Sequence, residues 1–204
     1  MNPNRFSSDV AFTDSVKAVQ ARKGSREANA RMEEAGGWET AITPDLAAFL
    51  AAQTSCFLAT ASADGQPYIQ HRGGPPGFLR ALDAHTLAFA DFLGNRQFIT
   101  TGNLAENAKA QLFLIDYAHR QRIKIWGTAR VDEDRALITR LMPEGYKARA
   151  QQAIVFTVAA WDVNCPQHIP QRFEAADVER SLADKDQRIA TLEAELAQLR
   201  KARG

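Results

Sequence analysis

The chain has 204 residues, of which 45% are hydrophobic and 24% charged, enough to bury one sizeable core as a single domain with appendages. Its 25 basic and 24 acidic side chains leave a net charge of +1. Because nucleic-acid binders usually carry a clear basic excess, we expect no nucleic-acid partner. Cys56 and Cys165 are the only cysteines, too few for a four-cysteine zinc site, and they suggest no disulfide framework.

The amino terminus, MNPNRFSSDV, lacks the basic-then-apolar pattern of a signal peptide. No apolar run approaches the roughly 20 residues that a helix needs to cross a bilayer. We therefore expect a cytoplasmic protein with no membrane partner.

Residues 1–40 are polar and rich in alanine, with scattered apolar positions. The stretch SREANARMEEAGGW predicts a short helix that stops at Gly36 and Gly37. This zone is an arm packed on a core or on a partner subunit, or else it is disordered.

Residues 41–172 alternate strand-like runs with turns. A helix is predicted first, with Thr43 as N-cap and Pro44 at its first position. The strand candidates that follow are CFLATAS, PYIQHRG, GFLRALD, TLAFADF, QLFLIDY, RIKIWGTARV and AIVFTVAAWDV. Hairpin-length connections join most of them, which favours an antiparallel sheet closing into a barrel over a parallel sheet.

Two short helices interrupt this series of strands. One is NLAENAKA, with Asn103 as its N-cap and Glu106 placed to complete a capping box, and the other is DEDRALITRLM. The predicted class is therefore α+β, a β-barrel with peripheral helices.

Residues 173–204 form a predicted helical tail with a coiled-coil-like apolar seam. Its apolar residues fall at alternating spacings of four and three, and only Lys185 interrupts them: Val178, Leu182, Ile189, Leu192, Leu196 and Leu199. Three heptads make a marginal helix on their own, so the seam needs a partner. A parallel pair across a dimer axis and a helix folded back onto the barrel both remain open.

Familiar catalytic signatures are missing. The sequence holds no GxxxxGK[ST], no GxGxxG after a strand, no HExxH and no GxSxG, and its four histidines show no metal-ligand spacing. Cys165 and His168 lie three residues apart in a loop bounded by prolines, where a role in loop architecture or cofactor contact is favoured over nucleophilic catalysis. No catalytic residue and no metal site are predicted.

Polar groups concentrate instead at strand ends, in three clusters. The first cluster consists of Gln70, His71, Arg72, Gly73 and Gly74. Two adjacent glycines let backbone amides approach a flat ligand closely, although a plain turn with a solvated arginine explains the same residues.

The second cluster is the loop DFLGNRQ and the TTGN that follows it, whose candidate ligands are Asn95, Arg96, Gln97, Thr101 and Asn103. An arginine, amides and hydroxyls ahead of a helix N-terminus can hold a phosphate. A polar connection in which Asn103 merely caps a helix is the plainer alternative.

The third cluster lies in RQRIKIWG, where Arg122 and Lys124 share one strand face opposite Ile123 and Ile125. This face is either the wet side of a barrel strand or a surface for an anionic or electron-rich ring.

The succession QHRGG, FADFLGNRQ and RIKIWG, within about residues 40–172, resembles the cofactor-binding segments of the pyridoxamine 5′-phosphate oxidase-like proteins, which bind flavin mononucleotide (FMN). The resemblance implies a split-barrel homodimer with two FMN molecules at the subunit interface. It implies that His71–Gly73 run beside the flavin, that Arg96 binds the FMN phosphate, and that Arg122 lies near the flavin.

The sequence also departs from the oxidases. Gln97 stands where they usually carry lysine, and a polar loop from Asn164 to Arg172, containing Gln167 and His168, replaces their substrate-binding segment. The resemblance therefore implies a separate branch in which this loop closes over the flavin from the partner subunit.

The leading hypothesis is an FMN-dependent oxidoreductase acting on a small molecule, with NAD(P)H as a candidate electron donor. The alternatives are a non-catalytic flavin carrier or redox sensor, a true pyridoxamine phosphate oxidase, a split barrel that binds F420 or haem, and a cofactor-free scaffold. The choice of FMN rests on the resemblance alone.

Overall fold

The computed structural model describes residues 6–203, and within them it contains six α-helices and seven strands. The helices are α1 (Asp14–Lys23), α2 (Arg26–Glu34), α3 (Pro44–Ala52), α4 (Ile99–Glu106), α5 (Arg135–Leu141) and α6 (Ala175–Arg203), preceded by a 3-10 turn at Ser7–Val10. The strands are β1 (Ser55–Ala61), β2 (Pro67–Gly73), β3 (Arg80–Ala81), β4 (Thr86–Phe92), β5 (Lys109–Asp116), β6 (Gln121–Asp132) and β7 (Ala150–Asn164).

The strands form one antiparallel sheet in the order β2-β1-β5-β6-β7-β4-β3. The two ends of the sheet are not hydrogen-bonded to each other in the described chain. They lie close together, however, since Arg72 on β2 forms an ion pair at 2.7 Å with Asp91 on β4. The sheet therefore curls into a barrel that stays split, which confirms the predicted α+β class.

The interior of the barrel follows from alternation along the strands. On β1, Cys56, Leu58 and Thr60 are buried while the residues between them are half-buried. Equivalent residues on β4 to β7 complete one apolar core, which includes Leu87, Phe89, Leu112, Leu114, Ile123, Ile125, Ile154 and Phe156. A smaller apolar cluster packs α5 against the outer faces of β4 and β7.

The described part of the amino-terminal arm is helical and contacts the sheet of its own chain. The Trp38 ring stacks on that of Trp126 at 4.6 Å between centroids. Trp161 donates a hydrogen bond from Nε1 to the Ala41 carbonyl at 2.8 Å, and Glu39 pairs with Trp161 as an isolated β-bridge. The two tryptophans on β6 and β7 thus anchor the chain that leads from the arm into α3.

Two local predictions were wrong. Asn103 does not cap a helix: α4 begins at Ile99, and Asn103 is buried inside it, donating from Nδ2 to Thr60 Oγ1 at 3.0 Å. The predicted strand GFLRALD shrinks to Arg80–Ala81, because Phe78 and Leu79 enter the core directly after a turn without joining the ladder. In both cases packing into the barrel overrides the local pattern.

The chain divides into two compact units. The first runs up to Asp116 and includes Gln121–Pro166, and the second combines Tyr117–Arg120 with the chain from Gln167 onward. Within the second unit, the Arg172 guanidinium lies 4.8 Å from the centroid of the Tyr117 ring. Among the described residues, no helix is long and apolar enough to cross a membrane.

Gly127 marks a shift in register between β6 and β7, and it allows an unusually close approach of the two backbones. A Cβ atom at this position would lie 1.9 Å from the Thr157 carbonyl oxygen. We predict that Gly127→Ala lowers the free energy of unfolding by about 2 kcal/mol or more, as overpacking does. Urea denaturation measures the change.

Gly102→Ala is the matched control, because Gly102 lies in α4 and a Cβ atom added there would have no neighbour within 4 Å. Alanine in a helix interior should raise stability there by about 0.5–1 kcal/mol. Equal effects of the two substitutions would contradict the close approach at Gly127.

Candidate functional site

A cleft opens at the split of the barrel, where β2 faces β4 and the start of α4. It consists of two adjoining lobes of about 190 and 30 Å³ that share a wall formed by Gln70, Arg72, Asp91, Phe92 and Gly94. The larger lobe extends along His71, Gly73, Phe78, Phe89 and Ala90. The smaller lobe extends along Asn95, Arg96, Phe98, Thr100, Thr101, Gln151 and Gln152.

Strand pairing explains why polar side chains reach this cleft. Gln70 and Arg72 lie directly opposite Leu58 and Cys56, so they share the inward face of the sheet. Asp91 lies opposite Gln152 and continues the inward face of β4 beyond Phe89. The barrel interior is therefore apolar along most of its length and polar at this end.

Hydrogen bonds connect these polar groups to α4. Gln152 Nε2 donates to Asp91 Oδ2 at 2.9 Å and to Thr101 Oγ1 at 3.0 Å. Thr100 Oγ1 donates to Gln70 Oε1 at 2.9 Å. Gln152 thereby orients the carboxylate that holds Arg72, while Arg72 Nε is buried without a hydrogen-bond partner. Such an orphaned donor is costly unless a ligand or water satisfies it.

The loop between β4 and α4 adopts a conformation that few side chains favour. Arg96 and Phe98 have φ values of 60° and 54°, in the left-handed region. Asn95 and Gln97 support the loop, since the Gln97 amide donates to Asn95 Oδ1 at 3.2 Å and Asn95 Nδ2 donates to Gln97 Oε1 at 3.2 Å. Strain of this kind persists where the surrounding structure holds it, often at binding sites.

The amino terminus of α4 carries no side-chain cap, because its N-cap residue is Phe98. The first amides of a helix lack intrahelical partners, and the helix dipole favours an anion there. The exposed Arg96 adds a full positive charge in the same loop. The arrangement has the donors that a phosphate group requires.

The glycine pair of the first cluster has a packing role. The Gly74 amide donates to the Thr54 carbonyl at 3.0 Å, and a Cβ on Gly74 would lie 2.7 Å from that of Phe78. Gly73 remains in the wall of the cleft, and the neighbouring His71 ring packs edge-on against Phe57 at 5.6 Å between centroids.

Arg122 and Lys124 lie on β6, three strands from β2 along the sheet. The Lys124 ammonium lies 5.8 Å from the centroid of the Trp126 ring, and Arg122 Nη2 donates to the Cys165 carbonyl at 3.4 Å. Burial raises the pKa of Asp162, opposite Lys124, and the lysine charge partly offsets that effect. Neither Arg122 nor Lys124 lines the cleft within the described chain. Gln167 and His168 do not line it either, and they belong to the second unit.

The cysteines offer no activated thiol in this cleft. Cys56 lies opposite Arg72 on the inward face and is buried in the core, and burial raises its pKa to about 12 despite the arginine charge. The described residues also contain no group of three or more side chains suited to hold a metal ion.

Sequence reasoning missed Gln152, which joins β4, β7 and α4 through its hydrogen bonds. The available signal was the pair Gln151-Gln152 immediately before the apolar run AIVFTVAA. Buried amide side chains are hydrogen-bonded in folded proteins. A glutamine directly before a buried apolar run therefore indicates a polar contact inside the fold.

We predict that Arg72 and Asp91 are strongly coupled, since their side chains are only 15% and 10% exposed. Asp91→Asn should lower the free energy of unfolding by about 3 kcal/mol, the lower end of the range for breaking a buried pair. In a double-mutant cycle with Arg72→Met, urea denaturation should give a coupling energy of roughly 1–3 kcal/mol.

The pair of Arg130 and half-buried Asp132 on β6 is the control, because Arg130 is 63% exposed to solvent. The same substitutions there should couple by about 0.5 kcal/mol or less. Additive effects at Arg72 and Asp91 would show that the ion pair does not hold the split.

A model of the pyridoxamine 5′-phosphate oxidase family matches residues 42–165. No curated protein matches the sequence. Among solved structures, HupZ from Group A Streptococcus is 17% identical, with a TM-score of 0.50 over 64% of this chain and 99% of that one. An FMN-binding protein from Syntrophomonas wolfei is 14% identical over 76% and 98%, with a TM-score of 0.47.

An FAD-binding protein from Mycobacterium smegmatis is 13% identical over 62% of this chain and 97% of that one, with a TM-score of 0.40. At these identities the likeness to HupZ concerns the fold alone. The match of the family model covers more than half of the 204 residues, and it includes all three polar clusters. The chain belongs to the pyridoxamine 5′-phosphate oxidase family.

Proposed function

We propose that this protein is an FMN-binding flavoprotein that works as a homodimer and catalyses an oxidation or reduction of a small molecule. The observation that carries the proposal is the uncapped start of α4 beside Arg96, at the edge of a cleft in a split barrel. Membership of the family supports the choice of a flavin.

We assign the phosphate of FMN to the open edge of the smaller lobe, on the basis of the donors there. Arg96, the first amides of α4 and the Thr101 hydroxyl are the candidate donors, and hydrogen bonds to a charged group contribute about 1.5–3 kcal/mol each. Asn95 and Gln97 hold the loop through their mutual hydrogen bonds. Asn103 does not face the lobe, since its amide is bound to Thr60 inside the fold.

We assign the flavin ring to the larger lobe, which a second chain would complete. Phe78, Phe89 and Phe92 supply apolar wall, and Gln70 and the unpartnered Arg72 Nε supply polar contacts. A bound flavin contributes the electron-transfer chemistry, and the protein supplies binding, orientation and exclusion of water. Asp91 fixes the Arg72 guanidinium at the edge of the lobe, so its free N–H donors are held beside the proposed ring site.

The proposal includes a second copy of the chain because the larger lobe alone is too small to enclose a cofactor. Its volume of about 190 Å³ falls below the roughly 300–1,000 Å³ typical of cofactor sites. The outer face of β1, β2 and β5 carries half-buried Phe57 and Phe113 beside Ile69, which is 65% exposed. We propose this face as the interface, with Arg122 and Lys124 as further flavin contacts. In the proposed dimer, Gln167 and His168 reach the flavin from the partner subunit.

Arg96→Ala should weaken FMN binding about 10- to 100-fold, because it removes one charge-assisted contact worth about 1.5–3 kcal/mol. The dissociation constant is measured by titrating FMN with the apoprotein and monitoring the quenching of flavin fluorescence. Arg135→Ala on α5 removes the same charge away from the cleft and should leave the affinity unchanged.

Equal affinities of the two variants would remove Arg96 from the phosphate site. If the wild-type protein binds FMN stably but neither NADH nor NADPH reduces it, the carrier or redox-sensor hypothesis gains support. Turnover of pyridoxamine 5′-phosphate would instead identify an oxidase in the strict sense.

A further inference from the structure

The helix α6 carries an apolar seam that no side chain covers within the described chain. All of its residues whose burial is described are exposed, and the apolar seam side chains are between 40% and 61% exposed. These residues are Val178, Leu182, Ile189, Leu192, Leu196 and Leu199. With 29 residues, α6 is about 43 Å long.

A helix with this pattern requires a partner. Most helical stability in proteins comes from packing an apolar face, and a stripe spaced at four and three residues fits a second helix rather than a flat surface. In heptad terms, Leu182, Ile189 and Leu196 occupy a positions. The d positions hold Val178, Lys185, Leu192 and Leu199.

Charges beside the seam match a parallel second copy. In a parallel, in-register pair, each g residue faces the e residue five positions later on the other helix. Arg188 then meets Glu193, and Glu195 meets Arg200. Two-fold symmetry repeats each contact, so the pair gains four attractive contacts. The earlier g residue, Ser181, is neutral opposite Asp186.

The antiparallel alternative is less well matched. The antiparallel register that overlaps the whole seam pairs g with g and e with e. It joins Arg188 to Glu195 and Glu179 to Arg200, but it also sets Asp186 against Glu193, two like charges that repel. The g-to-e contacts of the parallel pair within α6 include no like-charged pair. The pattern of charges therefore selects the parallel arrangement.

We propose that α6 pairs with α6 of a second copy as a parallel, in-register, two-stranded coiled coil. Lys185 meets its own counterpart at one d position and keeps its ammonium in solvent, which reduces stability. The contact needs no flavin and stands independently of the proposed cofactor.

Disulfide trapping in the full chain tests the pairing. The background is Cys165→Ser, because Cys165 is exposed and Cys56 is buried. Leu199→Cys places a thiol at a d position, where parallel helices bring the two copies together. Ala194→Cys places it at an f position on the opposite side of the same helix.

In a glutathione redox buffer, the fraction of disulfide-linked dimer gives the effective concentration of the two thiols. This concentration should be about tenfold higher for Leu199→Cys than for Ala194→Cys. Equal trapping would overturn the proposal. That result is expected if the seam folds onto its own chain or binds another protein. It is also expected for antiparallel helices, which would place the two 199 positions at opposite ends.

Charge reversal supplies a second test, with circular dichroism to confirm that the helix is retained. Adding Arg188→Glu to Leu199→Cys should lower trapping about fivefold, because two attractive contacts become repulsive. Adding Glu193→Arg as well should restore it. Arg188→Glu also removes a contact within one helix, because Arg188 lies four residues from Asp184. Glu193→Arg cannot restore that contact, so rescue reports the contact between helices. Absence of rescue would contradict the parallel register.

Discussion

The ion pair between Arg72 and Asp91 is the constraint on which the rest of this fold depends. Backbone hydrogen bonds leave the sheet open between its two ends in the described chain, and this pair bridges the gap at 2.7 Å. Both side chains are largely withdrawn from water, so each needs the other as a partner. Gln152 orients the carboxylate and, through Thr101, ties the pair to the first turn of α4.

Because the pair lies at the split, the same side chains hold the barrel together and line the cleft. The apolar core fills the barrel on one side of them, and the strained loop with Arg96 and Phe98 lies on the other. The strain places Arg96 beside helix amides that have no side-chain cap. The fold thus sets donors suited to an anionic group beside an apolar lobe, and the charges of Arg72 and Asp91 at this end of the barrel are paired.

Local patterns predicted much of this architecture. The antiparallel strands followed from alternation and short turns, and Thr43 caps α3 as expected, accepting a hydrogen bond from the Leu46 amide. Long-range packing decided the rest. The start of α4 could not be predicted because Asn103 has a partner 43 residues away on β1. Gln152 was missed because its partner Asp91 is 61 residues distant, and only the register of β4 and β7 joins them.

Binding of FMN in the cleft is tested most directly by an absorption spectrum of protein purified without added cofactor. Mass analysis of whatever heat releases should accompany it. If the proposal holds, the protein is yellow and yields FMN at about one molecule per chain. A colourless protein that also fails to bind added FMN would contradict it, and release of F420 or haem would assign the cleft to a different cofactor.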